Sequence, residues 1–484
     1  MIVKRFYDEK LAQASYMLGC AATGEAVVVD PMRDVDQYIE AAEREGLRIT
    51  AVTETHIHAD FVSGVRELAA RTGATMYLSD EGDENWKYAY AGERPTVLLK
   101  DGDTFDIGNI RIQAVHTPGH TPEHLMFLVT DGAVADRPIA ALTGDFVFVG
   151  DIGRPDLLEK AAGVEGTAEP GARRLFRSLQ AFKSQPDWLQ IWPGHGAGSA
   201  CGKGLSAIPH STVGYERLYN WAFQIEDEDE FVRAVLSGQP EPPKYFAQMK
   251  RINKLGPTIL DGFRRPERLP ADRLARLLEE GAIVVDTRRA AAFASAHVPG
   301  TINIPLNRSF NTWAGWLVPY DRDFYLIVED GESHALDEAV KDLAMIGLDR
   351  IGGYFTDDVV EAWAASGRAL GSVPQLTADD LAARPGEFAV LDVRGRAEWE
   401  AARLPDTVAG GRLVHIPLGY LTDRLDEVPV DRPLVVHCQG GARSAIAASL
   451  LKANGIDNVI NLAGGIAAWQ AAGRPVVAGN GTGA

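Results

Sequence analysis

Residues 53–61 read Thr-Glu-Thr-His-Ile-His-Ala-Asp-Phe, and this stretch decides the fold of the first half of the chain. It follows an apolar run at residues 49–53 that is typical of a β-strand, and it precedes residues 61–71, where apolar side chains recur at helical spacing. The two histidines and the aspartate therefore lie in a loop between a strand and a helix. Proteins use side chains of these types, grouped in one loop, to bind metal ions.

Three further motifs with the same kinds of side chain lie downstream, and each follows an apolar run. They are His116-Thr-Pro-Gly-His120, Thr143-Gly-Asp145 and Trp192-Pro-Gly-His195. Because loops at the ends of separate strands can converge on one point, we expect the four motifs to meet. Their types and order resemble the metallo-β-lactamase superfamily over about residues 1–250, and this resemblance implies an αββα sandwich.

Phe61 argues against a pair of zinc ions, because it stands where hydrolytic members of that superfamily usually carry another histidine for a second zinc. A phenyl ring cannot ligate a metal, so the resemblance leaves three metal ligands: His56, His120 and Asp145. Two imidazoles and one carboxylate with open positions suit non-haem Fe(II) that activates O₂ better than a hydrolytic zinc pair. We therefore expect one Fe(II) per chain.

Other polar residues of these motifs are expected to surround the metal without binding it. His58, Asp60 and His195 would orient the ligands or a water molecule. Cys201 lies six residues after His195 in a glycine-rich loop. It either holds or relays sulfur near the metal, or it is a small buried residue that fills space in the loop.

The ligand set, together with Gly150-Asp-Ile-Gly153-Arg154-Pro-Asp156, resembles the persulfide dioxygenase branch of the superfamily. In that branch the arginine matching Arg154 helps to hold the anionic end of a thiol carrier, which suits a guanidinium facing a carboxylate. Arg154 could instead pair only with Asp156. The resemblance implies glutathione as the carrier, and coenzyme A or another small thiol is the alternative.

A second reactive motif, His437-Cys438-Gln-Gly-Gly-Ala-Arg443-Ser444, lies between an apolar run at residues 433–436 and a helical pattern at residues 444–454. Glycines allow a tight loop whose backbone N–H groups point inward, and such a cradle should stabilise a thiolate or persulfide anion on Cys438. Four residues separate Cys438 from Arg443, whereas the cysteine phosphatases with a similar layout carry five. The tighter loop favours sulfur transfer.

Residues 374–478 resemble a rhodanese domain, in which the cysteine matching Cys438 carries the transferred sulfur. We therefore predict that Cys438 and Arg443 are catalytic. The other residues of the loop are expected to bind the substrate: Gln439, Gly440, Gly441, Ala442 and Ser444.

An internal repeat precedes this domain. Ile283-Val-Val-Asp286-Thr-Arg288 matches Val390-Leu-Asp392-Val-Arg394. In the first repeat Asp330 stands where the nucleophile should be, and a carboxylate cannot carry a persulfide. Residues 266–371 are therefore predicted to have a rhodanese-like fold without sulfur-transfer chemistry, as a spacer, a docking surface or a ligand-binding module.

The composition agrees with a multidomain α/β protein. At roughly 150 residues per domain, 484 residues predict about three domains, which we place at residues 1–256, 266–371 and 374–478. A proline-rich segment at residues 239–244 is expected to form a surface tail. The net charge of −19 disfavours nucleic acid and anionic membranes, and the start of the chain lacks the layout of a signal peptide. We expect a cytoplasmic homo-oligomer.

Together these features predict an enzyme that oxidises a thiol persulfide with O₂ to sulfite and exchanges sulfur between persulfide, thiosulfate and sulfite at Cys438. One alternative is a dinuclear zinc thioester hydrolase of the glyoxalase II type fused to a sulfurtransferase. The other is a non-enzymatic assembly or sensing role that depends on the repeat without a cysteine.

Overall fold

A computed structural model of the protein describes residues 1–162, 166–329 and 334–478. The chain forms two compact units. The N-terminal unit contains Met1–Arg264 and Leu343–Gly347, and the C-terminal unit contains Arg265–Asp342 and the residues after Gly347. No helix in the described ranges is both long enough and apolar enough to cross a bilayer.

The described part of the N-terminal unit contains two six-stranded sheets. The strands of the first sheet, in spatial order, are β1 (Ile2–Asp8), β2 (Gln13–Cys20), β3 (Glu25–Val29), β4 (Arg48–Thr53), β5 (Thr75–Ser79) and β6 (Thr96–Leu99). Those of the second are β7 (Thr104–Ile107), β8 (Ile110–His116), β9 (Leu125–Asp131), β10 (Ala140–Gly144), β11 (Gln190–Pro193) and β12 (Ser211–Thr212). Strands β3 to β6 are parallel, and so are β10 and β11.

Helices cover the outer face of each sheet. The described helices of this unit are α1 (Asp36–Arg44), α2 (Val65–Thr72), α3 (Leu157–Ala162), α4 (Ala168–Phe182), α5 (Val213–Tyr219), α6 (Glu228–Leu236) and α7 (Phe246–Leu255). The sheets meet face to face through one apolar cluster that includes Leu18 and Val27 of the first sheet and Ile112, Phe127 and Leu142 of the second. The predicted αββα sandwich is therefore confirmed.

The C-terminal unit contains the two repeats as separate parallel sheets. In the first repeat the described strands are β13 (Ile283–Asp286), β14 (Ile302–Asn303), β15 (Phe324–Val328) and β16 (Ile351–Thr356), in the order β14-β13-β15-β16. Its described helices are α8 (Asp272–Glu279), α9 (Ala290–Ser295), α10 (Phe310–Leu317), α11 (Ala335–Met345) and α12 (Asp358–Ala365). Asp330, the residue predicted to replace the nucleophile, lies outside the described residues.

The second repeat has β17 (Gln375–Leu376), β18 (Ala389–Asp392), β19 (Leu413–His415), β20 (Leu434–His437) and β21 (Val459–Leu462), in the order β17-β21-β20-β18-β19. Its helices are α13 (Ala378–Ala383), α14 (Arg396–Ala401), α15 (Ala442–Ala453) and α16 (Gly465–Ala471). The repeat and its α/β class are as predicted, and β20 delivers Cys438 directly to the start of α15.

Two sequence expectations about the N-terminal unit are wrong. The helix expected from residue 61 begins only at Val65, because the side chain of Asn253 binds the backbone of the preceding loop. The proline-rich segment is not a surface tail, since Pro242 and Pro243 are buried and α7 follows it.

Candidate metal centre and thiol loop

Three loops at strand ends bring the predicted metal ligands together. His56 follows β4, His120 lies between β8 and β9, and Asp145 follows β10. One ligand atom of each lies within 4.8 Å of the others, and all three residues are buried. Asp145 Oδ2 is 3.5 Å from His120 Nε2 and 3.9 Å from His56 Nε2.

Hydrogen bonds orient both imidazoles toward this point. His120 Nδ1 donates to the backbone carbonyl of Arg154 at 2.9 Å, and His56 Nδ1 lies 3.0 Å from Thr55 Oγ1. In each ring Nε2 therefore faces Asp145. Burial lowers the pKa of His120 and lowers that of His56 well below its ordinary value, which keeps both rings in the neutral form that ligates metals.

The carboxylate of Asp145 fits a bound cation. Both of its oxygens are buried, and within the described part of the chain neither accepts a hydrogen bond of good geometry, although the Cys201 thiol is close enough to lower the pKa of Asp145. Burial by itself would raise the pKa of Asp145, but the interactions with the imidazoles of His195 and His120 outweigh burial and lower it. A buried carboxylate without donors is costly unless a positive charge compensates it. His56, His120 and Asp145 therefore supply a suitable set of metal ligands, and a bound metal ion would compensate the buried negative charge of Asp145.

A second group lies beside the first. Ligand atoms of Asp60, His195 and Cys201 also lie within 4.8 Å of one another. His195 Nε2 is 3.2 Å from Asp60 Oδ2 and 3.4 Å from Asp145 Oδ1, and its Nδ1 donates to the carbonyl of Ala12 at 3.0 Å. Burial raises the pKa of the Cys201 thiol well above its ordinary value. Asp60, His195 and Cys201 are therefore at the metal centre, and the geometry alone permits them to hold a second cation.

His58 belongs to neither group. Its Nε2 lies 3.2 Å from Asp30 Oδ1, and its ring packs on Phe61 at 4.4 Å between centroids. Burial opposes a charge on this ring, but the hydrogen bond and the charge of Asp30 outweigh it and raise the pKa of His58 to about 9. His58 and Asp30 thus form a buried pair that supports the loop around His56.

Sequence reasoning missed the groups that hold this loop. Asp30 accepts a hydrogen bond from the Thr55 N–H at 2.6 Å, and Glu123 accepts one from the Ile57 N–H at 2.8 Å. Neither carboxylate belongs to one of the four motifs. The sequence offered one indication of their role: Asp30 directly follows an apolar run predicted to be a strand, and Glu123 lies just before another.

Asn253 of α7 makes three hydrogen bonds to the backbone of the loop. Its Oδ1 accepts from the Ser63 N–H at 2.9 Å, and its Nδ2 donates to the carbonyls of His58 and Phe61 at 2.8 Å each. We expect Asn253→Ala to lower the free energy of unfolding by about 2 to 4 kcal/mol, because it strands buried backbone groups. Urea titration measures this effect. Gln248→Ala, on the same helix, should cost less than about 0.5 kcal/mol, and equal losses would contradict the argument.

Arg154 does not have its expected role. Its Nε and Nη2 donate to the two carboxylate oxygens of Asp156 at 2.7 and 2.8 Å, and its Nη1 donates to the carbonyls of Ala200 and Pro240. The side chain is fully buried. These contacts correct the assignment of Arg154 to the carrier, because the guanidinium is committed to Asp156 and to two backbone segments.

The loop after β20 holds the predicted nucleophile. Cys438 is buried, the Gly441 N–H donates to its Sγ at 3.1 Å, and Ser444 Oγ lies 3.6 Å from that sulfur. Gly441 has φ of +96°, a conformation that favours glycine, and it caps the N-terminus of α15. Gln439, Gly440 and Ala442 are exposed on the outside of the loop. The thiol therefore faces one backbone donor, one hydroxyl and the positive end of a helix dipole.

Arg443 is fixed by a residue that sequence reasoning did not single out. Its Nη1 and Nη2 donate to the carboxylate oxygens of Glu398 in α14 at 2.6 and 2.7 Å. Burial would raise the pKa of Glu398, but the hydrogen bonds from Arg443 outweigh it and lower that pKa. This bidentate pair fixes the direction of the guanidinium beside the loop.

Each of the two repeats contains its own buried ion pair, formed by the last residue of β13 or β18 and an arginine two positions later. Arg288 Nη2 lies 2.6 Å from Asp286 Oδ2, and Arg394 Nη2 lies 2.6 Å from Asp392 Oδ2. Both carboxylates also accept from the backbone N–H of their arginine at 3.0 Å. The matched sequences of the repeats therefore encode the same local structure.

Comparisons with known proteins agree with this architecture. A family described as the metallo-beta-lactamase superfamily matches residues 9–195, and the rhodanese-like domain family matches residues 270–364 and 377–472. A probable metallo-hydrolase of Burkholderia pseudomallei is 31% identical over 224 residues, which are 40% of this chain and 72% of that protein. The mitochondrial persulfide dioxygenase of Bos taurus is 25% identical over 240 residues, 49% of this chain and 80% of that protein.

A solved structure extends the similarity into the second half of the chain. The crystal structure of a metallo-beta-lactamase from Staphylococcus aureus is 44% identical in sequence and superimposes with a TM-score of 0.66. The match covers 73% of this chain and 98% of that one.

Proposed function

Because this chain belongs to the metallo-beta-lactamase superfamily and carries two rhodanese-like domains, we propose that it oxidises a small thiol persulfide with O₂ to sulfite and transfers sulfur at Cys438. The observation that carries the proposal is the buried group of His56, His120 and Asp145, whose carboxylate accepts no hydrogen bond of good geometry within the described chain. Two imidazoles and one carboxylate suit a single Fe(II). The persulfide dioxygenase of Bos taurus is a similar protein of that activity.

The overall oxidation balances without a further oxidant. One R-SSH, one O₂ and one water give R-SH, sulfite and two protons, and the S–S bond of the persulfide breaks. Iron held by the three residues would supply activation of O₂. The chain itself keeps His56 and His120 neutral, directs their Nε2 atoms inward and buries the site away from bulk water.

Sulfur transfer is assigned to Cys438. Its thiolate attacks the outer sulfur of R-SSH, the S–S bond breaks, and the carrier thiol leaves with the proton. The Gly441 N–H and Ser444 Oγ face the cysteine sulfur and stabilise its negative charge. Sulfite then attacks the outer sulfur of the Cys438 persulfide, which forms thiosulfate and returns the thiolate. The reverse sequence consumes thiosulfate.

The decisive experiment is anaerobic purification with metal analysis, followed by O₂ uptake with glutathione persulfide. We expect one iron per chain and one O₂ consumed for each sulfite formed. Zinc in place of iron, with no O₂ uptake, would overturn the dioxygenase.

A second candidate function is favoured by the group of Asp60, His195 and Cys201, which can hold another cation. It is thioester hydrolysis at two zinc ions, and it predicts two zinc ions per chain with turnover of S-lactoylglutathione. Measuring this hydrolysis on the same sample separates the two candidates.

Glu398 provides a separate test of the sulfurtransferase site. We expect Glu398→Gln to lower kcat/KM for thiosulfate about tenfold, since the guanidinium of Arg443 loses a charge-assisted bidentate partner. Initial rates of thiosulfate-to-cyanide sulfur transfer measure the change. Glu400→Gln removes only an ion pair with Arg396 on the surface of the same helix and should leave the rate unchanged. Similar losses in both variants would contradict a role for the Arg443 contact.

A further inference from the structure

A cavity of about 560 Å³ in the N-terminal unit adjoins the metal centre. Gly119 and the metal ligand His120 form part of its wall, together with Trp86. The volume lies within the range of roughly 300–1,000 Å³ that is usual for small-molecule sites. The cavity is therefore large enough for a carrier whose sulfur reaches the metal centre.

The cavity is lined by an unusual number of positive charges. Arg174 comes from α4, and Lys250, Arg251 and Lys254 come from α7, while Asp83 contributes one carboxylate. The whole chain has 67 acidic and 48 basic side chains, so four cations around one cavity run against its charge balance. Such a concentration of one sign raises the local potential and attracts ligands of the opposite sign.

Three of these cations contact neutral groups. Lys250 Nζ lies 3.6 Å from the centre of the Trp86 ring, Lys254 Nζ donates weakly to the carbonyl of Glu84 at 3.4 Å, and Arg251 Nε donates to Gln248. In the described ranges none of the four cavity cations forms a salt bridge. Burial lowers the pKa of Lys250 to about 8, so this side chain still carries most of its charge at pH 7.

Two other arginines of α4, which lie outside the cavity, do form salt bridges. Arg173 pairs with Glu169 and Asp229, and Arg177 lies 3.5 Å from Glu228. Neither arginine lines the cavity. The lack of salt bridges is therefore a property of the four described cations of the cavity wall rather than of α4 as a whole.

Other candidate anion-binding groups near the cavity are already engaged. The backbone N–H groups of Thr167 and Ala168, at the start of α4, donate to Glu159 at 3.1 and 3.0 Å. Arg154 is committed to Asp156. Recognition of an anion in this cavity would thus depend on the side chains of α4 and α7.

We propose that the carrier thiol is polyanionic, with its sulfur beside His120 and a phosphate-bearing end among Arg174, Lys250, Arg251 and Lys254. Guanidinium and ammonium groups are the usual protein ligands of phosphate. Four cations exceed what a tripeptide thiol of low net charge requires. The proposal rests on the proposed function only for the placement of the sulfur, since the charge of the cavity is independent of the reaction.

The test compares two thiols that have the same thiol-bearing portion and differ in charge. Coenzyme A carries phosphates, whereas pantetheine has the same thiol arm without charge. Calorimetric titration of the purified full-length protein should show coenzyme A binding at least about 100-fold more tightly, with an affinity that falls as salt is added. Equal affinities, or an affinity for coenzyme A that does not depend on salt, would overturn the proposal.

Two variants test whether the cations of the cavity cause the tighter binding of coenzyme A. The double variant Arg251→Gln, Lys254→Gln should weaken binding of coenzyme A about tenfold or more and leave that of pantetheine unchanged. Arg177→Gln, an exposed position outside the cavity, should change neither. If the double variant binds coenzyme A as well as the unmodified protein, the cavity is not the site.

Kinetics distinguish this proposal from the function on which it rests. Glutathione persulfide and coenzyme A persulfide are compared in O₂ uptake, and the double variant should raise KM for the latter while kcat stays constant. Charge-dependent binding of coenzyme A without O₂ uptake from either persulfide would overturn the dioxygenase alone. Uptake with glutathione persulfide and no binding of coenzyme A would overturn the polyanionic carrier alone.

Discussion

Replacing Cys438 by serine should abolish thiosulfate formation while O₂-dependent sulfite formation continues. A serine hydroxyl cannot form a persulfide, and losing the nucleophile of a covalent mechanism commonly costs at least about 10³-fold in rate. The substitution keeps the size of the side chain and an acceptor for the Gly441 N–H, so the loop should keep its conformation. Thiosulfate and sulfite are measured separately in the same reaction by chromatography of their fluorescent derivatives.

The control for this variant is Cys20→Ser. Cys20 is a buried cysteine of β2 whose Sγ accepts a hydrogen bond from the Asn109 N–H, and serine keeps that acceptor. Thiosulfate formation should be unchanged in the control. If the Cys438→Ser protein still exchanges sulfur between thiosulfate and a thiol, sulfur transfer takes place elsewhere and the interpretation of the loop is wrong.

Replacing His120 by alanine should remove both bound iron and O₂ uptake. His120 supplies one of three predicted ligands, and its Nε2 faces the carboxylate of Asp145. Loss of groups that only orient a metal ligand costs 10- to 100-fold, so we expect loss of the ligand itself to lower O₂ uptake by more than about 100-fold. Metal analysis and oxygen-electrode rates on the same sample test this expectation.

Two controls accompany the His120 variant. His116 is near His120 in sequence, but its Nε2 lies 2.8 Å from the carbonyl of Pro122, and His116→Ala should keep the iron. Thiosulfate-to-cyanide transfer by His120→Ala should equal that of the unmodified protein, which shows that the C-terminal unit is folded. Full O₂ uptake by the His120→Ala protein would exclude this histidine as a ligand.

The fold and the centre of the metal site could be predicted because their signals are local in sequence. Each ligand motif directly follows an apolar run, and the strand ends bring His56, His120 and Asp145 together. The repeat could likewise be recognised from short matching stretches such as the one around Asp392. In these cases the chemistry of a few adjacent residues determines the structure that they form.

The supporting groups could not be predicted because they reach the site from distant parts of the chain. Asn253 contacts residues 58–63 only because α7 folds back over the loop, and the proline-rich segment before α7 gave no sign of this. The cavity cations are separated by more than 70 residues between Arg174 and Lys250 and meet only in the folded unit. For Arg154 the sequence offered a thiol carrier and Asp156 as alternative partners, and it could not show that the carbonyls of Ala200 and Pro240 would also engage the guanidinium.

The paired Asp286–Arg288 and Asp392–Arg394 contacts bear on how genomes are searched for sulfur-handling enzymes. Both modules keep this salt bridge at 2.6 Å, although one of the two has no cysteine at the matching loop. A search pattern based on the aspartate–arginine pair would therefore retrieve every module with this fold, whether or not the module carries the catalytic cysteine. Counting active modules in uncharacterised genomes requires reading the residue five positions before the loop arginine instead.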